Sequence, residues 1–264
     1  MRIASLQLEV DDARSKLGRL ELVDTLLSTV AKSQQHPDIV MLPELWGCGF
    51  FDYDNYTADS EPLMGETFAL LSDEAKRLQS YILGGSILEA DGDNIYNTTL
   101  LINREGELEG SYRKMHLFGF ESREQQLLLP GEFPVVIPTS LGNLGLCTCY
   151  DLRFPEQFRA MVDMDAELFL VPAAWPEPRI AHWQLFNQVR ALENQCWLVS
   201  CNCSGVQKGS RYGGNSMVVS PMGEVCTALG LETDILYFDI DITLVRKARE
   251  SFPALADRKP IPLL

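Results

Sequence analysis

Short apolar, β-rich runs alternate with stretches of helical periodicity from the start of the chain. Residues 3–8 read as a strand. Residues 17–30 place apolar side chains at 20, 23, 27 and 30, the spacing of a helix with one buried face, and residues 38–42 predict the next strand. A second helical pattern covers 67–78. Strands follow near 81–88 and 98–103, then a turn at Arg104-Glu105-Gly106-Glu107 and another strand leading to Lys114. The second half repeats the theme with a strand at 144–148, a helix opening at Pro155, a strand at 167–171, a helix at 179–194 and a strand at 197–201.

Two hairpin-like stretches stand out, N-T-T-L-L-I-N-R-E-G-E at 97–107 and N-S-M-V-V-S-P-M-G-E at 215–224, one in each half. They suggest two related sheets, although ordinary hairpin chemistry produces the same likeness. Strands and helices mixed on this scale predict an α/β protein whose sheets are covered by helices.

Composition narrows this picture. With 264 residues and 46% hydrophobic content, the chain can bury a sizeable core, and no linker or low-complexity stretch divides it, so one domain over 1–264 is expected. The first ten residues lack the apolar core of a signal peptide or a membrane span, which points to the cytoplasm. Seven cysteines, an odd number without the spacing of a disulfide framework, fit a reducing compartment. A net charge of -15 argues against nucleic acid or an anionic membrane as partner.

The candidate chemistry lies at the ends of apolar runs. Cys149 sits in L-G-L-C-T-C-Y-D-L-R-F-P-E, where a buried strand ends at a thiol shortly before a helix. A thiol on such an elbow is exposed on a rigid support, and nearby N–H groups would favour its thiolate. Glu44 stands in V-M-L-P-E-L-W beside an apolar wall, and Lys114 in S-Y-R-K-M-H-L-F, too apolar for a fully exposed loop. The chain thus offers a base, a cation and a nucleophile.

In that order, these three stretches resemble the nitrilase or carbon-nitrogen hydrolase superfamily, which uses a Glu, Lys, Cys triad on amides, nitriles and carbamoyl groups. The likeness continues through W-P-E-P-R (175–179) and R-A-L-E-N-Q (190–195) to Val245. It implies a four-layer α-β-β-α sandwich, pairing through helices into a homodimer, and a cofactor-free thiol amidase working through a thioester on a small-molecule amide. It further implies Glu44 as base, Cys149 as nucleophile and Lys114 at the oxyanion, with the backbone N–H of Tyr150 as second donor. A second glutamate beside the lysine is expected at Glu124, seven residues before Gly131, with Glu121 as the alternative in the same loop.

Substrate selection would come from the surroundings. Arg179 is the candidate cation for a substrate carboxylate, since a guanidinium binds carboxylates bidentately, or else a helix-surface charge. Trp175 walls the pocket or merely packs. His182 and Trp183 are expected to orient their helix, and Arg153 to form an ion pair with Asp151 under the elbow. The stretch W-P-E-P-R-x-x-H-W most resembles the omega-amidase branch, with an N-carbamoyl amidohydrolase as alternative and a non-catalytic binding subunit as a rival of another class.

Other sites fit poorly. Cys147-x-Cys149 and Cys201-x-Cys203 have the wrong spacing for a zinc knuckle, and three scattered histidines do not suggest a catalytic metal. Gly84-Gly85 and Gly213-Gly214 lack the pattern of a phosphate loop.

Overall fold

The computed structural model describes residues 1–259. Two sheets of six strands carry the architecture. The first is built from β1 (Arg2–Gln7), β2 (Ile39–Met41), β3 (Tyr81–Asp91), β4 (Asn94–Ile102), β5 (Leu108–Arg113) and, at its far edge, β14 (Asp234–Asp239). The second contains β6 (Val135–Thr139), β7 (Gly142–Leu146), β8 (Leu168–Ala173), β9 (Trp197–Asn202), β12 (Met217–Val219) and β13 (Val225–Ala228). A small ribbon, β10 (Val206–Gln207) and β11 (Ser210–Arg211), stands apart.

The sheets share one plan. In the first, β1, β2 and β3 run parallel, β4 and β5 fold back antiparallel at one edge, and β14 is antiparallel at the other. In the second, β7, β8 and β9 are parallel, β12 and β13 take the first edge and β6 the other. The stretches 97–107 and 215–224 fall in the hairpins β4–β5 and β12–β13, at corresponding edges.

Period-two alternation explains how the layers stack. In β2 and the residue after it, Ile39 and Met41 face the other sheet while Val40 and Leu42 face helices; in β8, Leu168 and Leu170 face inward while Phe169 and Val171 face outward. Apolar on both faces, these strands read as continuous hydrophobic runs. The result is three cores and hence four layers: helices α1 (Lys16–Lys32) and α3 (Glu66–Leu78), the first sheet, the second sheet, and helices α5 (Pro155–Asp163) and α6 (Ile180–Asn194).

The predicted face of α1 is the buried one, with Leu20, Val23, Leu27 and Val30 inside and Ser15 capping its start through Gly18 N–H. Three further helices complete the fold: α2 (Tyr56–Asp59), α4 (Glu124–Leu127) and α7 (Thr243–Ser251). No helix among the described residues is long and apolar enough to cross a membrane.

Candidate active site

The strand ends deliver the chemistry. Glu44 lies three residues beyond β2, Lys114 directly follows β5, Glu124 opens α4, and Cys149 starts a short 3-10 turn (Cys149–Arg153) after β7. Two backbone features hold the first of these in place. Gly85 adopts φ +66°, and a Cβ there would lie 1.9 Å from the carbonyl oxygen of Pro43. The bulge that Gly84-Gly85 makes in β3 leaves room for the Pro43–Trp46 segment, which is tied down by Trp46 Nε1 donating to Gly84 O (2.8 Å) and Leu45 N to Ser86 Oγ (3.1 Å). Cys149 itself has φ +48°, a left-handed conformation that costs a non-glycine residue about 1 to 3 kcal/mol and turns the thiol out of the strand.

Glu44, Lys114 and Glu124 are wholly buried and bonded to one another. Lys114 Nζ donates to Glu44 Oε1 (2.8 Å) and to Glu124 Oε1 and Oε2 (2.9 and 3.0 Å). The remaining oxygen, Glu44 Oε2, accepts from Ala174 N–H (2.9 Å), and Glu124 Oε2 accepts a second bond from Phe118 N–H (2.6 Å). Asn97, on β4, donates its amide nitrogen to Glu44 Oε1 (2.8 Å) and Glu124 Oε1 (3.0 Å). Burial works against the Lys114 ammonium, yet the charges of Glu124 and Glu44 outweigh it and hold its pKa well above the usual lysine range. Burial also pushes the Glu124 carboxyl upward, with Lys114 opposing and Glu44 adding to the rise. Glu121 is exposed at the cavity mouth with φ +51°, so Glu124 is the glutamate that meets the lysine.

Cys149 is buried, and its thiol is held well above the ordinary range, first by burial and then by the charge of Glu44, with Lys114 and the N–H of Ala174 opposing. The N–H groups expected to favour the thiolate are thus opposed by desolvation, which acts in the other direction and is the larger influence on the thiol.

A cavity of about 460 Å³ opens beside Cys149, lined by Phe50, Phe51, Phe118, Phe120, Tyr150, Arg153, Trp175 and Arg179 among others. Tyr150 follows the thiol in the first turn of the 3-10 segment, where a backbone N–H has no intrahelical acceptor. Trp175 both walls the cavity and packs: its ring lies 5.6 Å from that of Trp183, and its Nε1 donates to Arg179 O (2.8 Å). Trp183 is buried and anchors α6 by donating to Asn215 O (2.7 Å), whereas His182 contacts Arg153 at 3.3 Å.

The ion pair expected between Arg153 and Asp151 does not form. Side chains two apart point away from each other in a 3-10 turn. Asp151, fully buried, instead accepts from Tyr112 Oη (2.7 Å), Thr148 N (2.8 Å) and His116 N (3.1 Å), with His116 Nδ1 at 2.8 Å, and so clasps the lysine segment to the cysteine elbow. Arg153 turns into the cavity over the Tyr150, Trp175 and Phe186 rings (5.9, 5.0 and 5.2 Å) and meets no carboxylate among the described residues. Arg179, equally without a carboxylate there, lies over Phe118 and Phe120 (5.7 and 5.3 Å) at the mouth.

Asn97 is the neighbour of the cluster that the sequence reading passed over, while Asp151 and Arg153 were noticed but paired with each other. One signal was available for Asn97: N-T-T is a polar triplet inside an otherwise apolar strand. Of the two Cys-x-Cys pairs, Cys147 and Cys149 share the outer core of the second sheet, while Cys201 lies between the sheets and Cys203 in the outer core of the first.

The family profile described as carbon-nitrogen hydrolase matches residues 2–250. A 2-oxoglutaramate amidase of Paenarthrobacter nicotinovorans is 33% identical over 265 residues, covering 97% of this chain and 89% of that protein. Among solved structures, a CN-hydrolase superfamily protein of Xanthomonas campestris with an arsenic adduct in its active site superposes with a TM-score of 0.90 at 27% identity, covering 100% of this chain and 98% of that one. An amidase of Nesterenkonia sp., in which acrylamide has added to the active-site cysteine, gives a TM-score of 0.81 at 26% identity, with 97% and 99% covered.

Proposed function

Because the chain belongs to the carbon-nitrogen hydrolase family and is a hydrolase of non-peptide carbon-nitrogen bonds, we propose that it cleaves a small carboxylate-bearing omega-amide of the 2-oxoglutaramate kind to the free acid and ammonia. The observation that carries this reading is that Cys149, whose thiol feels the charges of the buried Glu44 and Lys114, lines one cavity together with Arg153 and Arg179, guanidinium groups that meet no carboxylate among the described residues.

In this mechanism Glu44 takes the Cys149 proton as sulfur attacks the amide carbon. The developing oxyanion is met by Lys114 Nζ and Tyr150 N–H. At rest the lysine's protons are committed to the two glutamates. Once Glu44 is protonated it becomes a poorer acceptor, and the lysine proton it held turns to the oxyanion as that charge appears. Collapse expels the amine, which leaves as ammonia with the proton from Glu44. Water, deprotonated by Glu44, then attacks the thioester, and the acid departs as the thiol is restored.

The carboxylate at the other end of the substrate is received by Arg153 and Arg179, which both line the cavity, a refinement of the sequence expectation for Arg179 alone. We read the chain as one domain, acting in the cytoplasm, where its seven free cysteines would stay reduced. It pairs with a second copy through α6, whose outer face exposes Leu185 and Leu192.

The deciding experiment measures ammonia release from 2-oxoglutaramate, succinamate, glutamine, N-carbamoyl-β-alanine and a simple nitrile by wild type and Cys149→Ala. Preference for the first two, lost in the variant, is the expected result. Turnover of the carbamoyl compound alone, with carbon dioxide released, would replace the omega-amide reading.

A further inference from the structure

Asn97 touches every member of the buried charge cluster. Its side-chain nitrogen donates to one oxygen of Glu44 and one of Glu124, and its backbone carbonyl accepts from Lys114 N (2.8 Å). Both bonds to carboxylates come from the same NH₂ group, so the two glutamates are spaced by the span of a single amide. The side chain is fully buried, and its oxygen has no partner among the described residues. A buried unpaired amide oxygen costs roughly 1 to 3 kcal/mol, which a merely space-filling residue would not need to incur.

Two carboxylates sharing one ammonium leave a net buried negative charge, and such a pair tends to pick up a proton. That proton would be ruinous on Glu44, which must be a free base when substrate arrives. Two neutral N–H donors aimed at the shared side favour the doubly ionised state without adding a second cation that would compete for the oxyanion.

We propose that Asn97 is a positioning residue for the reaction, fixing Glu44 and Glu124 in separate duties, the one as base and the other as anchor of Lys114. The inference rests on the mechanism proposed above. The groups facing Glu124 are Lys114 after β5, Glu44 after β2, the Phe118 N–H of its own loop, and the neutral phenols of Tyr53 and Tyr56. The Asn97 amide is among the contacts that hold the Glu124 carboxyl down against burial. Removing it lets that carboxyl rise further, so the acid limb of activity moves to higher pH.

The test compares Asn97→Ala, Asn97→Ser and Asn97→Asp with wild type and Cys149→Ala, measuring kcat and KM against pH on whichever amide the wild type hydrolyses best, with thermal midpoints alongside. Expected are a fall in kcat of roughly 30-fold or more with KM within about threefold, and an acid limb displaced upward. Asn97→Asp, the closest in shape, should be the most impaired, because it removes both donors and adds a third carboxylate. A packing role predicts that losses of kcat follow the losses of thermal midpoint across the three variants, with the pH profile of Asn97→Ala and Asn97→Ser unmoved, and that outcome would overturn the inference. Should Asn97→Ala fail to fold, Asn97→Ser against Asn97→Asp makes the same comparison. Full activity in Cys149→Ala would instead defeat the mechanism itself, which keeps the two failures apart.

Discussion

The rims of the two sheets meet at one cavity, but they bring opposite states of readiness. The first sheet supplies Glu44, Asn97 and Lys114 on or just past its strands, with Glu124 from the loop beyond. Every carboxylate oxygen there already has a donor, and the lysine is fully engaged. The second sheet supplies Cys149, Arg153, Trp175 and Arg179, and its guanidinium groups rest on aromatic faces rather than on carboxylates. Satisfied charges are rigid and can serve as catalytic groups of fixed geometry. Cations that meet no carboxylate among the described residues are free to take an anion, and in the mechanism proposed above the second rim is where the substrate's carboxylate would bind.

The sharpest break between the rims comes at the thiol. Burial and the charge of Glu44 both push the Cys149 thiol upward; with Glu44 as the base that ionises it, Glu44→Gln should slow alkylation by iodoacetamide at neutral pH about tenfold or more and hydrolysis on the order of a thousandfold. A thiol that ionised unaided would react faster in this variant, because the charge that raises its pKa is gone. Faster alkylation would therefore reassign Glu44.

Next in size is recognition. Arg153→Ala should lower kcat/KM for a carboxylate-bearing amide roughly 10- to 150-fold, mainly through KM, the worth of about 1.5 to 3 kcal/mol for a charged hydrogen bond. A neutral amide of equal length should be nearly unaffected. Equal losses on both substrates would make Arg153 part of the first rim's function and remove the contrast.

The smallest effect belongs to the clasp joining the rims. Tyr112 Oη donates to Asp151 and accepts from Met115 N (3.0 Å) and Gln157 Nε2 (2.9 Å). Tyr112→Phe strands these partners at roughly 1 to 3 kcal/mol, read as a thermal midpoint lowered by several degrees with kcat changed only a few-fold. A large loss of kcat without a change in midpoint would place Tyr112 in the chemistry.

How far the sequence foretold this depends on which force governed each part. Strands β1 to β3 and β7 to β9 were legible because burial on both faces writes itself as largely apolar runs, most plainly in β2 and β8. The face of α1 followed from its spacing. By contrast, β14 is an edge strand with mixed burial whose register comes from β1, and α4 is a single turn, so neither carries a strong local period; α7 is amphipathic but largely polar, burying only Val245 and Ala248. Within the site, Glu44, Lys114 and Cys149 were visible as polar residues closing apolar runs. Asp151 was misread for a physical reason: proximity in sequence suggested Arg153 as its partner, while the 3-10 turn points them apart and the fold brings Tyr112 and His116 from the other sheet's rim. Arg153's aim into the cavity follows from the same turn, which the residues alone did not announce.

Gly85 extends the catalytic requirement to a place where no catalytic group stands. A methyl group there would collide with the Pro43 carbonyl, one residue before the base. Among natural variants, substitution at this glycine would be purged as stringently as loss of Glu44 itself. A map of tolerated mutations would therefore mark as indispensable a residue that contributes only an empty space, and the apparent boundary of the active site in such a map would be wider than the set of atoms that react.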